Sequence, residues 1–396
     1  MKRLSSIIIS ALLTLALLMN PLLALKVSAE TETKDTGLEI TSTSAVVIEG
    51  STGSIIYEKN KDERLKPASI TKIMTLLLIF EALDSGKIKL TDEVSVSEYA
   101  ASMGGSQVYL EPNETQTVDT MIKCISIASA NDASVAMAEY IAGSETEFVK
   151  QMNDKAKELG MLNTNFVNAC GLDEDNHYSS AYDVALMSRE LITNHPDISK
   201  YSTVWMDTIT HTTKKGQSEF GLTNTNKLIK SYNGITGLKT GSTGLAKYCL
   251  SATANRGGMD LIAVVLAAPE TKIRFREASK LLDYGFANCS IFSDDNKDLA
   301  VVPIPVKKGV EKEVTYRVND DFSYLCLKGT NPADITKSVT INEDVTAPIK
   351  ENDKVGEITY KLGGETIGTV DIVAAADVEK AGFKDYFLQA LKKLLF

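Results

Sequence analysis

Ser69 and Lys72 are a pair whose residue types and spacing could support covalent chemistry. Residues three apart share one face of a helix, so the Lys72 amine can reach the Ser69 hydroxyl. A serine hydroxyl is a poor nucleophile until a base removes its proton. A lysine can be that base when it is uncharged, and burial or a neighbouring cation favours that form. Ser69 comes directly before the most apolar helical run of the chain, residues 70–83, whose N-terminus offers free backbone N–H groups.

Two further short motifs carry groups that suit the same chemistry. The Ser-Ala-Asn motif at 129–131 lies between two helical patterns and brings a hydroxyl and an amide into a tight turn. The Lys-Thr-Gly motif at 239–241 lies in an alternating pattern typical of a strand, where the lysine and threonine can bind a carboxylate. Its glycine would leave room for the backbone of a ligand.

The surrounding patterns predict an α/β domain over residues 38–290. Apolar runs at 44–50 and 54–57 are typical of a β-hairpin. Helical spacing follows at 118–127, 133–141, 145–159 and 181–193. Strand-like runs return at 235–240, 248–254 and 261–267, and a last helix is predicted at 274–286. Strands at both ends of this segment favour a mixed sheet with helices around it.

The residue pattern of the sequence changes after residue 293. Short β-type runs between residues 299 and 373, broken by Gly, Pro, Asn and Asp, predict an all-β domain over 293–375. In a helix over 383–396, seven apolar side chains would fall in one arc of about 160°. This apolar face is too short to span a bilayer. The pattern of residues 381–396 therefore predicts a helix that lies on a membrane surface. A helix docked on the protein itself is the alternative.

The chain begins with the pattern of a secretory signal peptide. Lys2 and Arg3 precede an apolar run of about 12 residues, and small residues at Val27 and Ala29 suit a cleavage site. This run is shorter than the roughly 20 residues that cross a bilayer. We therefore expect residues 1–29 to be removed from an exported protein.

Composition excludes several classes of function. The chain has 42 Lys and Arg against 52 Asp and Glu, a net charge of −10, so we expect no nucleic acid partner. The five cysteines have irregular spacing, which predicts free thiols rather than a disulfide scaffold. The histidines, His177, His195 and His211, show no metal-ligand spacing, so we expect neither a metal nor a cofactor.

The three motifs together resemble the signature of the penicillin-recognising serine enzymes, the penicillin-binding proteins and serine β-lactamases. The stretches at 67–75, 129–133 and 280–286 are more similar to the low-molecular-mass D-alanyl-D-alanine carboxypeptidases. The resemblance covers about residues 38–290. It implies an α/β (α+β) DD-peptidase-like domain with helices around an antiparallel sheet, then a small all-β domain and a C-terminal amphipathic helix.

The resemblance also implies a role for each matched residue. Ser69 would attack the carbonyl between two terminal D-alanines and form an acyl-enzyme. Lys72 would accept the Ser69 proton, and Ser129 would pass a proton to the departing D-alanine. The implied substrate-binding residues are Asn131, Lys239, Thr240, Gly241, Ser242 and Arg274. The backbone N–H groups of Ser242 and Ser69 would bind the oxyanion. The carboxylate ligand would be Arg274, with Arg276 as the alternative.

The implied partners are a peptidoglycan stem peptide ending in D-Ala-D-Ala, β-lactam antibiotics as inhibitors, and a membrane surface. The expected location is the outer face of the cytoplasmic membrane and the cell wall. A serine β-lactamase is one alternative, although residues 132–238 lack the E-x-x-L-N stretch of its common class. An endopeptidase that cleaves cross-links and a catalytically silent wall-binding protein are the others.

Overall fold

Antiparallel strands form the central sheet of the larger part of the molecule. The computed structural model describes residues 37–299, 302–342 and 345–395, and the predicted signal peptide at 1–29 lies outside them. Up to residue 268 the strands are β1 (Ser44–Glu49), β2 (Ile55–Lys59), β3 (Glu93–Ser95), β4 (Thr115–Thr117), β5 (Met206–Thr213), β6 (Gly216–Thr223), β7 (Ile235–Thr243), β8 (Lys247–Arg256) and β9 (Met259–Ala268). Five of these described strands pair in the order β2-β1-β9-β8-β7.

Helices cover this sheet. They are α1 (Lys72–Asp84), α2 (Glu98–Ala101), α3 (Val118–Ser126), α4 (Asn131–Ala142), α5 (Glu145–Glu158), α6 (Ala181–Asn194), α7 (Ser199–Ser202) and α8 (Thr271–Asn288). All residues of β1 and almost all of β9 are buried, which requires cover on both faces of the sheet. Helix α1 is buried on nearly every side, as its apolar composition predicted.

The antiparallel sheet that the resemblance implied is confirmed, and the mixed sheet predicted from the residue pattern is wrong. Tight turns join β7 to β8 and β8 to β9, and such turns connect antiparallel neighbours. The hairpin of β1 and β2 then adds to β9 in the antiparallel sense as well. The predicted helices of this region are confirmed, with their ends displaced by no more than one turn.

The chain from residue 289 onward forms short strands, as predicted for an all-β domain. They are β10 (Cys289–Asp294), β11 (Ile304–Lys307), β12 (Glu313–Val314), β13 (Tyr316–Val318), β14 (Phe322–Leu327), β15 (Ile335–Ile341), β16 (Val345–Thr346), β17 (Lys354–Leu362) and β18 (Glu365–Ala374). The largest sheet has the order β13-β18-β17-β15. Phe322 and Tyr360 stack in its core with ring centroids 3.8 Å apart.

The chain ends in helix α9 (Phe383–Leu395), which confirms the helical part of the C-terminal prediction. The Phe383 side chain of this helix is 87% exposed and the Phe387 side chain 58% exposed. Leu388 and Leu391 are exposed as well. Within the residues that the structure describes, no helix combines the length and the apolar character needed to cross a membrane.

Glu277 of α8 fastens the segment before β1 to the sheet domain. Its buried carboxylate accepts hydrogen bonds from the backbone N–H and the hydroxyl of both Thr41 and Ser42, at 2.5–3.1 Å. Burial raises the pKa of Glu277, but these hydrogen bonds outweigh burial, and the pKa lies below its usual value. The ionised carboxylate therefore stabilises the folded chain.

We expect Glu277→Ala to lower the free energy of unfolding by about 3 kcal/mol, because hydrogen bonds to a charged group are lost. Since the folded-state pKa is depressed, the difference from the wild type should be complete above about pH 5 and shrink as pH falls further. Urea unfolding at several pH values measures both effects. Arg276→Ala, an exposed neighbour on the same helix, is the matched control and should change little. An equal loss in both variants would contradict this account.

Candidate active site

The structure brings Ser69 and Lys72 into direct contact. Ser69 lies in a 3₁₀ turn, Ala68–Thr71, and Lys72 is the first residue of α1. The Lys72 Nζ lies 3.1 Å from the Ser69 Oγ, 2.6 Å from the Asn131 Oδ1 and 2.6 Å from the Cys170 backbone oxygen. Lys72 is fully buried, whereas Ser69 is partly exposed. The Ser69 hydroxyl, which solvent can reach, is thus in contact with the Lys72 amine, which solvent cannot reach.

Burial governs the charge of Lys72. It lowers the pKa of Lys72 to about 8, and Cys170 and Asp132, which act in the opposite direction, offset only part of this effect. A charged amine can donate one proton to each of its three oxygen neighbours. A neutral amine keeps two N–H bonds for Asn131 and Cys170 and turns its lone pair to the Ser69 proton. The same geometry therefore fits both states of a general base.

The Cys170 carbonyl is held in place by its own loop. The Asn168 side-chain oxygen accepts hydrogen bonds from the backbone N–H groups of Cys170, Gly171 and Leu172. Gly171 has a φ of +87°, and a Cβ there would lie 1.9 Å from the Ala68 oxygen. Only glycine allows this loop to approach the Ser69 turn so closely.

Asn131 connects Lys72 to the loop before α3. Its Oδ1 accepts from Lys72, and its Nδ2 donates to the Gly104 oxygen at 2.6 Å. The next residue, Asp132, is buried and accepts hydrogen bonds from the backbone of Val108 and Leu110, each at 3.1 Å. The start of α4 thereby fixes both the Asn131 amide and the loop at 104–110.

Ser129 and Lys239 form the second hydroxyl–amine pair of the site. Ser129 has a φ of +64°, a left-handed backbone that is uncommon for serine, and its Oγ lies 2.8 Å from the Lys239 Nζ. Lys239 is buried on β7, and burial holds its pKa well below the usual value, helped by the charges of Lys72 and Arg274. Strain of this kind in a turn is typical of functional sites.

Strand β7 runs directly beside the Ser69 turn. A Cβ at Gly241 would lie 2.7 Å from the Pro67 oxygen and 3.0 Å from the Ser69 nitrogen. The protein's own backbone therefore occupies the space into which a side chain at this position would extend. The expectation that Gly241 leaves room for a ligand stays a prediction. The Thr240 hydroxyl donates to the Thr225 hydroxyl at 2.6 Å. Ser242, which follows Gly241 on β7, is exposed.

Arg274, and not Arg276, lies against β7. The buried Arg274 guanidinium donates to the Gly241 oxygen at 2.9 Å and to the Cys249 oxygen at 3.2 Å. Its Nε has no partner within the described residues. Arg276 is exposed on the same helix. Of the two arginines, Arg274 therefore lies beside the motif on β7, and its role as the carboxylate ligand stays a prediction.

Some supporting residues were missed by sequence reasoning. The Asn168 side chain binds backbone N–H groups of its own loop, and Cys170 contributes its backbone carbonyl, so no residue pattern marks either of them. His177 donates from Nε2 to the Thr71 hydroxyl at 2.7 Å and accepts from the Val167 N–H at Nδ1. Burial lowers the pKa of His177 to about 4, so the ring is neutral and braces the nucleophile turn.

The fold and these contacts define a serine enzyme of the penicillin-recognising class, and comparison with known proteins identifies the family. The family described as D-alanyl-D-alanine carboxypeptidase matches residues 28–270. The family described as penicillin-binding protein 5, C-terminal domain, matches residues 291–380. The chain belongs to the D-alanyl-D-alanine carboxypeptidase family, which confirms the resemblance stated above.

Three individual relatives cover between 63% and 87% of this chain. The chain is 48% identical over 340 residues to D-alanyl-D-alanine carboxypeptidase DacF of Bacillus subtilis, covering 86% of each chain. Penicillin-binding protein 5 from Haemophilus influenzae superposes with a TM-score of 0.73 at 31% identity, over 87% of this chain and 99% of that one. Penicillin-binding protein D2 from Listeria monocytogenes, in its ampicillin-bound form, has a TM-score of 0.55 at 34% identity, over 63% and 99%.

We expect acylation of the protein by a labelled penicillin to accelerate with pH. With a Lys72 pKa of about 8, the neutral base rises from about one tenth of the molecules at pH 7 to nine tenths at pH 9. The second-order rate of adduct formation should therefore increase almost tenfold over this interval. Thermal melts at each pH control for unfolding. A profile that is flat from pH 6 to 9 would contradict a lysine base.

Proposed function

We propose that the protein removes the terminal D-alanine from peptidoglycan stem peptides through an acyl-enzyme on Ser69. The observation that carries this proposal is the 3.1 Å contact between the Ser69 Oγ and the buried Lys72 Nζ. Neutral Lys72 accepts the hydroxyl proton as the oxygen attacks the carbonyl carbon between the two D-alanines. Asn131 and the Cys170 carbonyl hold the resulting ammonium.

The second pair serves the leaving group. As the peptide bond breaks, the Ser129 hydroxyl donates its proton to the D-alanine amine. The proton that Lys72 took from Ser69 replaces it, so that Lys72 is neutral again before hydrolysis. The 2.8 Å hydrogen bond from Lys239 to the Ser129 oxygen supports this role, because it holds Ser129 in place. Water then attacks the acyl-enzyme carbonyl, and neutral Lys72 accepts the water proton. As the bond between the acyl group and the Ser69 oxygen breaks, Lys72 returns this proton to the Ser69 Oγ, so that the free enzyme is restored.

Cationic and hydrogen-bonding groups on β7 bind the substrate carboxylate in this proposal. Lys239 and the Thr240 hydroxyl face the D-alanine carboxylate, and Arg274 adds charge from behind the strand through its contact with the Gly241 oxygen. The backbone N–H groups of Ser69 and Ser242 bind the oxyanion, where charge develops only in the transition state. Asn131 binds the amide on the acyl side.

Penicillins present a reactive carbonyl and a carboxylate to the same groups, so we propose that they acylate Ser69 and inhibit the enzyme. The ampicillin-bound form of the Listeria relative supports this expectation. A slow second step distinguishes an inhibited peptidase from a β-lactamase, which must release the acyl group quickly.

We expect wild-type protein to release D-alanine from diacetyl-Lys-D-Ala-D-Ala and to accumulate a long-lived penicilloyl adduct. Ser69→Ala should abolish both, because the nucleophile is gone, and should still melt cooperatively. A second Ser-x-Asn sequence occurs at residues 231–233, and Ser231→Ala, which removes its exposed serine, should leave both unchanged. Activity retained in Ser69→Ala would refute the site. Rapid penicillin turnover without D-alanine release would favour a β-lactamase. Absence of any penicilloyl adduct would favour a catalytically silent protein.

We further propose that the protein is exported after removal of residues 1–29 and is held at the outer face of the cytoplasmic membrane by α9. The exposure of Phe383, Phe387, Leu388 and Leu391 supports this, because such side chains are stable in the interfacial region of a bilayer. The all-β domain then separates the active site from the membrane.

Deletion of residues 381–396 should move the protein from co-sedimentation with anionic vesicles to the supernatant, with D-alanine release unchanged. The double variant Phe383→Asp/Phe387→Asp should behave in the same way, because it removes apolar contact without shortening the chain. Leu162→Asp alters a more distant side chain that is 82% exposed and should not change sedimentation. Vesicle binding that survives the deletion would contradict the proposal.

A further inference from the structure

We propose that Glu81, Glu190 and His195 form a binding site for a divalent zinc-type cation, separate from the active site. Each of the three residues offers one ligand atom, and these atoms all lie within 4.8 Å of one another. Glu81 is in the last turn of α1, Glu190 is near the end of α6, and His195 directly follows α6. A cation bound there would join the ends of two packed helices.

His195 is held as a metal-ligating histidine is held. Its Nδ1 lies 2.5 Å from the Asp84 Oδ2, and its side chain is only 9% exposed. This contact leaves Nε2 as the nitrogen available to a cation. A carboxylate on the far nitrogen orients the ring and fixes which nitrogen is free, an arrangement that recurs around zinc.

The charges around the three ligands favour a cation. Glu81 is paired with Lys155 at 2.8 Å, and Lys155 is shared with Glu158 at 2.7 Å. Asp84 and Glu190 bring the number of carboxylates in this cluster to four, against the single lysine Lys155. Lys155 therefore neutralises Glu81 only in part, and an arriving cation would have to compete with it.

The ligand types select the class of cation. An imidazole nitrogen with two carboxylates suits zinc and similar first-row ions, whereas calcium and magnesium prefer oxygen ligands alone. Zinc with three protein ligands takes water as its fourth. The ligand atoms must close from their present spacing to bind at about 2.0–2.2 Å, which side-chain rotation of two surface glutamates allows.

The consequence is structural. Glu81 lies nine residues after Lys72 on the same helix, roughly 14 Å along its axis, so the ion does not reach the reacting atoms. It would stabilise the folded protein, because only the folded chain assembles the ligands. Motif spacing could not reveal the site, since Glu81 is more than a hundred residues from its partners in the sequence.

Calorimetric titration of the untagged protein with zinc chloride tests the proposal, with thermal melts alongside. We expect one zinc ion per chain and a saturable rise in melting temperature. His195→Asn is the decisive variant, because an asparagine amide can keep the contact with Asp84 but offers nothing in place of Nε2. It should melt like the wild type without zinc and bind zinc more than about tenfold more weakly.

Two further variants sharpen the test. Lys155→Met removes the competing cation and should tighten zinc binding, whereas Asp154→Asn, on the same helix but outside the cluster, should leave it unchanged. His195→Asn retains all five cysteines, so zinc held by thiols would persist in it. Absence of zinc binding to the wild type, or equal binding to wild type and His195→Asn, would overturn the proposal. Equal binding of magnesium to both would identify a patch of acidic charge only and also overturn it.

Discussion

Burial of the Lys72 amine against fixed oxygen atoms is the interaction on which the rest of the site depends. An ammonium group loses its hydration there, so the fold lowers its pKa towards neutrality. The two short hydrogen bonds to Asn131 and Cys170 aim the remaining lone pair at Ser69. A base of this kind needs no histidine, and the buried, neutral His177 is free to brace the turn instead.

Three distant chain segments must pack closely against one another to exclude water from the Lys72 amine. Gly171 lets one loop reach the Ala68 carbonyl, and Gly241 lets β7 lie against the nucleophile turn. Ser129 accepts a left-handed backbone so that its hydroxyl meets Lys239. Conformational strain and close approach are thus concentrated around the reacting atoms, while the sheet and α1 supply the rigid packing that holds them.

Sequence reasoning singled out Ser69, both lysines and the helices, because short motifs and 3.6-residue periodicity are local signals, and the structure brings these residues together. It gave the wrong strand sense for the sheet, since the pairing of β1 with β9 joins segments more than two hundred residues apart. It did not predict that β7 lies against the Ser69 turn at Gly241, because this contact joins distant parts of the chain. The Asn168 loop and the cluster around His195 were invisible, because backbone contacts and ligands from separate helices leave no spacing in the sequence.

The most direct test of this account is the ionisation of Lys72 itself. Protein labelled with ¹³C at the lysine ε-carbon can be titrated by NMR, with the Lys72 signal assigned by its absence from Lys72→Arg. The account predicts a signal that titrates near pH 8 while the exposed lysines titrate together at much higher pH. A Lys72 signal that titrates with the exposed lysines, near their ordinary pKa of about 10.4, would contradict it.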